Sequence, residues 1–170
     1  MPQDKRAISG VNDSKQLDAD TRARLCTQIR HAALAIGVGA ASVHEVEELN
    51  VFHATVRAMQ RAVAQCERRL GRSADHLLID GNALRWLGRE HTAVVRGDAT
   101  CYSIACASIV AKVLRDNLMQ RLAQRYGNYG WERNVGYGTP VHRDAITRFG
   151  LTPHHRRTFC QSVQISLELS

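Results

Sequence analysis

Hydrophobic positions along the chain change their period several times, and each change predicts an element. His76-Leu77-Leu78-Ile79 is a short run of the kind a buried strand makes, closed by the turn residues Asp80-Gly81-Asn82. Thr92-Ala93-Val94-Val95 repeats the arrangement and closes in Arg96-Gly97-Asp98. Each run therefore delivers an acid to the carboxyl mouth of a strand. Leu34 to Ala41, β-tolerant and interrupted by Gly37 and Gly39, reads as a further strand. Val163, Ile165, Leu167 and Leu169 alternate and read as a terminal one.

The remaining stretches carry the helical period. After the polar turn Asn12-Asp13-Ser14-Lys15, one side of a helix beginning near Asp18 to Thr21 collects Leu17, Leu25, Ile29 and Ala32 or Ala33. Ser42 with Glu45 three residues on matches a capping box and predicts a short helix. Phe52, Val56, Met59, Val63, Cys66 and Leu70 advance by fours and threes, a stripe suited to packing on a sheet. Arg57, Arg61, Arg68 and Arg69 take the other face, read as solvated before it is read as phosphate-binding, and Gly71 ends the helix. Ile104, Ala107, Ala111, Leu114, Leu118 and Leu122 predict one long helix over Tyr102–Arg125, with Ala105, Ala107, Ser108 and Ala111 small enough for close approach.

Tyr126 to Gly138 is rich in glycine and aromatic residues without an apolar period, so it reads as a loop whose aromatics could stack on bases or sugars. Thr139-Pro140 caps and starts a last helix that Gly150 should end. His154-His155-Arg156-Arg157 is a basic knot, placed on a loop as a phosphate contact or a solvated surface.

Composition narrows the class. With 170 residues, 44% hydrophobic and 23% charged, the chain fits one domain over residues 1–170 with an ordinary core. A net charge of +7 favours polyanionic partners such as nucleic acid or acidic lipid, although a merely basic soluble protein has the same balance. No apolar run approaches the roughly 18 residues of a membrane span, and Met1-Pro2-Gln3-Asp4-Lys5-Arg6 lacks a signal peptide's apolar centre, so no membrane association and a cytoplasmic location are expected. Cys26, Cys66, Cys101, Cys106 and Cys160 include no C-x-x-C pair and are expected to be reduced thiols acting as small hydrophobes.

Ligands of open α/β sheets gather at the carboxyl ends of strands, where Asp80 and Asp98 could share a hard cation. Mg²⁺ or Mn²⁺ held between carboxylates and a phosphodiester can activate water and shield charge in an in-line displacement. The plainer alternative makes both acids turn residues, since Asp before Gly is common in turns.

The motifs also occur together. Asn12-Asp13-Ser14-Lys15, Leu78-Ile79-Asp80-Gly81-Asn82, Val94-Val95-Arg96-Gly97-Asp98, the helix segment from Ser103 to Asp116, Gly136-Tyr137-Gly138-Thr139 and His155-Arg156-Arg157-Thr158-Phe159 resemble, in order, the successive motifs of ribonuclease HII. The resemblance runs from about Gly10 to Phe159. It implies an α/β fold with a ribonuclease H-like mixed sheet flanked by helices and a C-terminal helical segment. It implies an endoribonuclease that hydrolyses the RNA strand of RNA–DNA hybrids and cuts 5′ of ribonucleotides embedded in duplex DNA, by two-metal-ion chemistry with Mg²⁺ or Mn²⁺, leaving a 3′-hydroxyl and a 5′-phosphate. By the same resemblance Asp80 and Asp98 are the catalytic, metal-binding acids. Lys15 contacts substrate phosphate and Tyr137 packs near the ribose, with Arg96, Lys112 and Arg156 in nucleic-acid-binding segments. Asp116 is structural. The expected partners are RNA–DNA hybrid and ribonucleotide-containing duplex DNA, and the expected state is a monomer.

The pattern departs from the family at its start. Ribonuclease HII opens on a strand carrying Asp-Glu-Ala-Gly-Arg-Gly, which supplies two further carboxylates, and no such segment occurs in these 170 residues. The expectation is an N-terminally shortened domain, its first strand or strands missing and a slot left in the sheet. The alternative function is then a catalytically impaired fragment or nucleic-acid-binding remnant of the family; a basic α/β domain whose motifs serve only the fold is a third. Arg96 stands where the family usually has Lys, and Val135 where a Lys often precedes Gly-Tyr-Gly. The first keeps the charge, and the second weakens phosphate binding slightly.

Overall fold

Helices dominate the computed structural model, which describes residues 6–160. The terminal strand expected at Val163–Leu169 lies outside them. Contacts within the chain group into two compact units, one of residues up to Ala40 with Thr55–Val113, the other of Ala41–Ala54 with the chain from Leu114 on.

In the first unit, helix α1 (Ala19–Ala32) starts where Asp18 accepts the Thr21 N–H, and it buries Leu25, Cys26 and Ile29. Helix α2 (Val43–Leu70) runs through both units and bends at Asn50, whose φ of 65° is left-handed. The expected capping box begins it: Ser42 N–H donates to Glu45 Oε2 at 3.0 Å, and Glu45 N–H to Ser42 Oγ at 3.1 Å. Asn50 Oδ1 then takes the N–H groups of Phe52 and His53, so the short helix and the longer one predicted after it meet at a cap inside one element. Ala54 and Val56 are buried, whereas Phe52, placed on the apolar stripe by its spacing, is exposed because it lies in the first turn after that cap.

Strands β1 (Leu78–Asp80) and β2 (Thr92–Val94) form a parallel pair in the register Leu78↔Thr92, Ile79↔Ala93 and Asp80↔Val94. Both predicted strands are present, each shorter by a residue or two. Leu78 is exposed rather than buried. Among the described residues the sheet has these two strands, both parallel, where a larger mixed sheet was expected.

Leu34–Ala41 does not join it. The segment is extended but its backbone is paired by side chains of α2: Arg69 donates to the Ile36 carbonyl, Gln65 accepts from Val38 N–H, and Arg61 donates to the Ala40 carbonyl. Gly37 and Gly39 make this approach possible, because a Cβ on either would overlap a carbonyl oxygen of α2, that of Ala62 or Ala58. Two arginines of the face read as solvated therefore serve as backbone partners.

Beyond the four-residue helix α3 (Gly97–Thr100), helix α4 (Tyr102–Arg125) has its predicted limits. Its buried face differs from the predicted stripe: Ile104, Ala105, Cys106, Ile109 and Val110 are buried, and Ala107, Ala111 and Leu118 are exposed. Apolar residues nearly encircle this helix, so spacing alone could not select the face.

The second unit centres on Ala123, Tyr129, Trp131, Ala145 and Ile146, with Met119, Leu122, Tyr126, Leu151 and Cys160 packed around them. The stretch read as a loop contains a 3₁₀ turn at Gly127–Tyr129 and the short helix α5 (Trp131–Asn134). Its Tyr129 and Trp131 rings stack 5.2 Å apart inside the core, so neither is available to bases or sugars. Helix α6 (Pro140–Phe149) follows with Thr139 as its cap, and Gly150 ends it at a φ of 75°. All five cysteines are free thiols, as expected.

Candidate active site

Residues brought together in the first unit begin with Asp80, the last residue of β1. It is exposed, and its Oδ1 accepts the Gly97 N–H at 2.8 Å. Gly97 opens α3 just past β2, and the chain turns into it through Arg96, which holds a left-handed φ of 56°. A β carbon on Gly97 would lie 2.5 Å from Ile104 Cδ1, so the turn favours glycine for space.

Asp98, the next residue, is 8% exposed. Its Oδ2 accepts from Lys15 Nζ at 2.9 Å across 83 residues of sequence. Lys15 arrives there through its own turn. Its N–H donates to Asp13 Oδ1 at 3.0 Å, and the neighbouring Ser14 hydroxyl is buried 2.8 Å from that of Ser108 on α4. An Arg22 guanidinium holds the Ser14 carbonyl. The Lys15 side chain remains 76% exposed, so its ammonium can hold Asp98 and still meet an incoming anion.

The electrostatics follow from this contact. The hydrogen bond to Asp98 raises the Lys15 pKa above its ordinary value, helped by the charges of Asp13, Asp98 and, least, Asp80. The hydrogen bond from Lys15 lowers that of Asp98, against the opposing effect of its burial. Both groups are charged at neutral pH. The two strand-mouth acids therefore act on one lysine.

Other residues singled out by sequence lie further along. Arg96 is exposed between β2 and α3. Lys112 is half-buried on α4, one turn beyond Ser108. In the second unit Tyr137 is 62% exposed, with the Arg115 guanidinium 5.5 Å from its ring centre. Arg156 is exposed with its guanidinium 4.1 Å from the Phe159 ring centre. The basic knot is not one surface, because His155 is buried against His142. Asp116 is half-buried on α4.

Three contributors lie within the motifs but were given no role by the sequence: the Gly97 amide, and the Ser14 and Ser108 hydroxyls that fix the lysine turn. A serine among the small apolar residues of α4 was the one available signal.

Carboxylate oxygens are the right donors for Mg²⁺ or Mn²⁺. Asp80 and Asp98 each carry such oxygens and are the residues that would hold an ion here. No group of three or more His, Cys, Asp or Glu side chains able to hold a metal occurs among the described residues.

The fold of this chain is similar to that of a solved protein. The crystal structure of the ribonuclease H2 from Pyrococcus horikoshii OT3 matches 95% of this chain and 83% of its own, with a TM-score of 0.68 at 22% identity. That likeness defines the class as a ribonuclease H-like fold. The family described as Ribonuclease HII matches residues 2–162. Proteins named Ribonuclease HII from Thermosynechococcus vestitus and a Synechococcus species are 54% and 50% identical to it, over 96% and 92% of this chain and 74% and 68% of their own lengths. The chain belongs to the ribonuclease HII family, ribonuclease H hydrolases that act on nucleic acid and generally depend on divalent metal. No helix among the described residues is long and apolar enough to cross a membrane.

Proposed function

We propose that this chain binds RNA–DNA hybrids and ribonucleotide-containing duplex DNA and hydrolyses the phosphodiester 5′ of a ribonucleotide, with Asp80 and Asp98 as its metal-holding acids. The observation that carries the reading is Lys15 Nζ at 2.9 Å from Asp98 Oδ2, within the field of Asp80. An exposed ammonium beside two strand-mouth carboxylates matches a phosphate that must lie against acids. Lys15 has three donors and can keep Asp98 while giving another to a phosphate oxygen. The Gly97 amide holds Asp80 in one orientation, and Tyr137 offers an exposed ring to the ribose. Mg²⁺ or Mn²⁺ bound by the two acids would lower the pKa of the attacking water and shield the phosphate charge. Water oxygen joins phosphorus, the bond to O3′ breaks, and the proton reaches O3′, giving a 3′-hydroxyl and a 5′-phosphate.

A second reading is favoured by the size of the acidic set. In this reading, two carboxylates among the described residues make a weak catalyst that still binds its duplex. Fewer carboxylates fix a catalytic metal less firmly, and a barrier higher by several kcal/mol slows the reaction on the order of a thousandfold or more. The test is cleavage of a duplex with one embedded ribonucleotide, in Mg²⁺ and in Mn²⁺, by the chain and by Asp80→Asn. Slow cleavage abolished by Asp80→Asn is expected. Rapid cleavage abolished by it would overturn the impaired reading, and cleavage indifferent to it would remove Asp80 from the site.

A further inference from the structure

Helix α6 buries one histidine, His142, against a second, His155, and both are 5% exposed. Their Nε2 atoms lie 3.0 Å apart. The surrounding donors decide which atoms carry protons. Thr152 N–H points at His155 Nδ1 at 2.9 Å, so Nδ1 accepts and the His155 proton is on Nε2. That proton is donated to His142 Nε2, which also accepts the Trp131 Nε1–H at 3.0 Å. His142 must then be protonated on Nδ1, which lies 2.9 Å from the carbonyl oxygen of Tyr137. A directed chain runs from Thr152 through His155 and His142 to Tyr137.

We infer that His142 is a positioning residue that sets the Gly136-Tyr137-Gly138 turn, and so presents the Tyr137 ring to nucleic acid, through its Nδ1–H bond to the Tyr137 carbonyl. The inference rests on the reading of Tyr137 as a substrate contact.

The turn around Tyr137 is held from several sides. Tyr137 N–H donates to the Asn134 carbonyl at 2.8 Å, Gly136 N–H donates to Asn134 Oδ1 at 2.9 Å, and Thr139 N–H shares the Tyr137 carbonyl at 2.8 Å. Asn134 is itself buried, donating to the Tyr129 carbonyl at 2.8 Å. Val135 and Gly136 both have positive φ, 42° and 83°, and the first is uncommon for a β-branched residue. A strained turn keeps its shape only when its surroundings over-determine it, and His142 supplies a bond from outside the turn. The ring it presents is exposed, although the carbonyl behind it is anchored in the core.

Both imidazoles are neutral in this arrangement, and a second proton on either would set donor against donor. Burial, with the charges of His142 and His154, pushes the His155 pKa down to about 4. The other titratable or charged groups near the pair are Tyr129, whose ring centre is 5.0 Å from that of His155, Tyr126 beside His154, and Arg156 and Cys160 further along the same segment. His155 therefore keeps its neutral form across the physiological range.

Two substitutions separate positioning from packing. In His142→Asn the amide nitrogen can take the place of Nδ1 and keep the bond to Tyr137 while losing the acceptor for Trp131 and His155. In His142→Gln the side-chain oxygen can serve Trp131 and His155 while the Tyr137 bond is lost. The readouts are the dissociation constant for an RNA–DNA hybrid, thermal unfolding, and imidazole ¹⁵N NMR of the 170-residue chain. The expected result is near wild-type affinity for His142→Asn despite lower stability, and about tenfold weaker binding for His142→Gln. In a Tyr137→Ala background the two should bind alike. Affinity that simply follows stability would overturn the inference, as would NMR showing the His142 proton on Nε2. If Tyr137→Ala alone leaves affinity unchanged, the substrate-contact reading fails. The positioning claim is then decided by whether His142→Gln, and not His142→Asn, shifts the amide resonances of Gly136 to Gly138.

Discussion

Asp80 and Gly97 are joined by a 2.8 Å hydrogen bond from the glycine amide to the Asp80 carboxylate, which ties the acid at the end of β1 to the residue just before Asp98. The backbone beside Asp98 thereby fixes the Asp80 carboxylate.

That bond makes Gly97→Ala an informative variant. The added methyl would meet Ile104 Cδ1 at 2.5 Å and Val94 Cβ at 3.3 Å, so it should destabilise the chain by about 1–3 kcal/mol in urea unfolding. Mn²⁺ affinity, followed by electron paramagnetic resonance, should fall with it. Full stability and unchanged metal affinity would show that the close packing around Gly97 does not organise the acids.

The Lys15–Asp98 pair sets two edges on a stability profile. The Asp98 pKa is lowered in the fold, so its contribution is present above the unfolded value near 3.8 and is lost as pH falls through the folded one. Lys15 is raised, so its contribution is complete below about 10.5 and is lost as pH rises through the folded value. The difference in stability between wild type and Lys15→Met should be flat across neutral pH and shrink at both ends. A difference that persists at pH 2 would point to packing of the lysine stem.

Duplex binding should depend steeply on salt. The chain carries a net charge of +7, and Lys15, Arg96, Lys112 and Arg156 lie in motif segments. The slope of log K against log salt should be near −0.9 per phosphate neutralised, and Lys15→Ala should reduce it by about one phosphate. Hybrid affinity constant from low to moderate salt would exclude phosphate-led binding.

Gly37 and Gly39 allow the extended segment Leu34–Ala41 to lie on α2. Alanine at either should cost about 1–3 kcal/mol in chemical unfolding, because backbone rather than a mobile side chain must move. Arg69→Ala should cost less, since the Ile36 carbonyl it serves is at an exposed edge and can turn to water.

Helix limits were legible in the sequence because local bonds define them. Asp18, the Ser42–Glu45 box, Thr139-Pro140 and Gly150 each act within four residues, and each is where the reading put it. The placing of Asp80 and Asp98 near strand ends belongs to the same class, since Asp80 ends its own apolar run and Asp98 follows its run by three residues. Tertiary structure alone decided which partners those ends would meet. Lys15 finds Asp98 across 83 residues, Gly97 finds Asp80 across 17, and Leu34–Ala41 spends its strand-forming groups on arginine and glutamine side chains of α2. The aromatic loop shows the limit most plainly. Tyr129, Trp131 and Tyr137 look alike in sequence, and burial separates them because two fill a core that α6 completes while the third stands outside a turn pinned from within. Hydrophobicity marks a ring as able to be buried, but which rings are buried depends on the surfaces that distant segments bring to them.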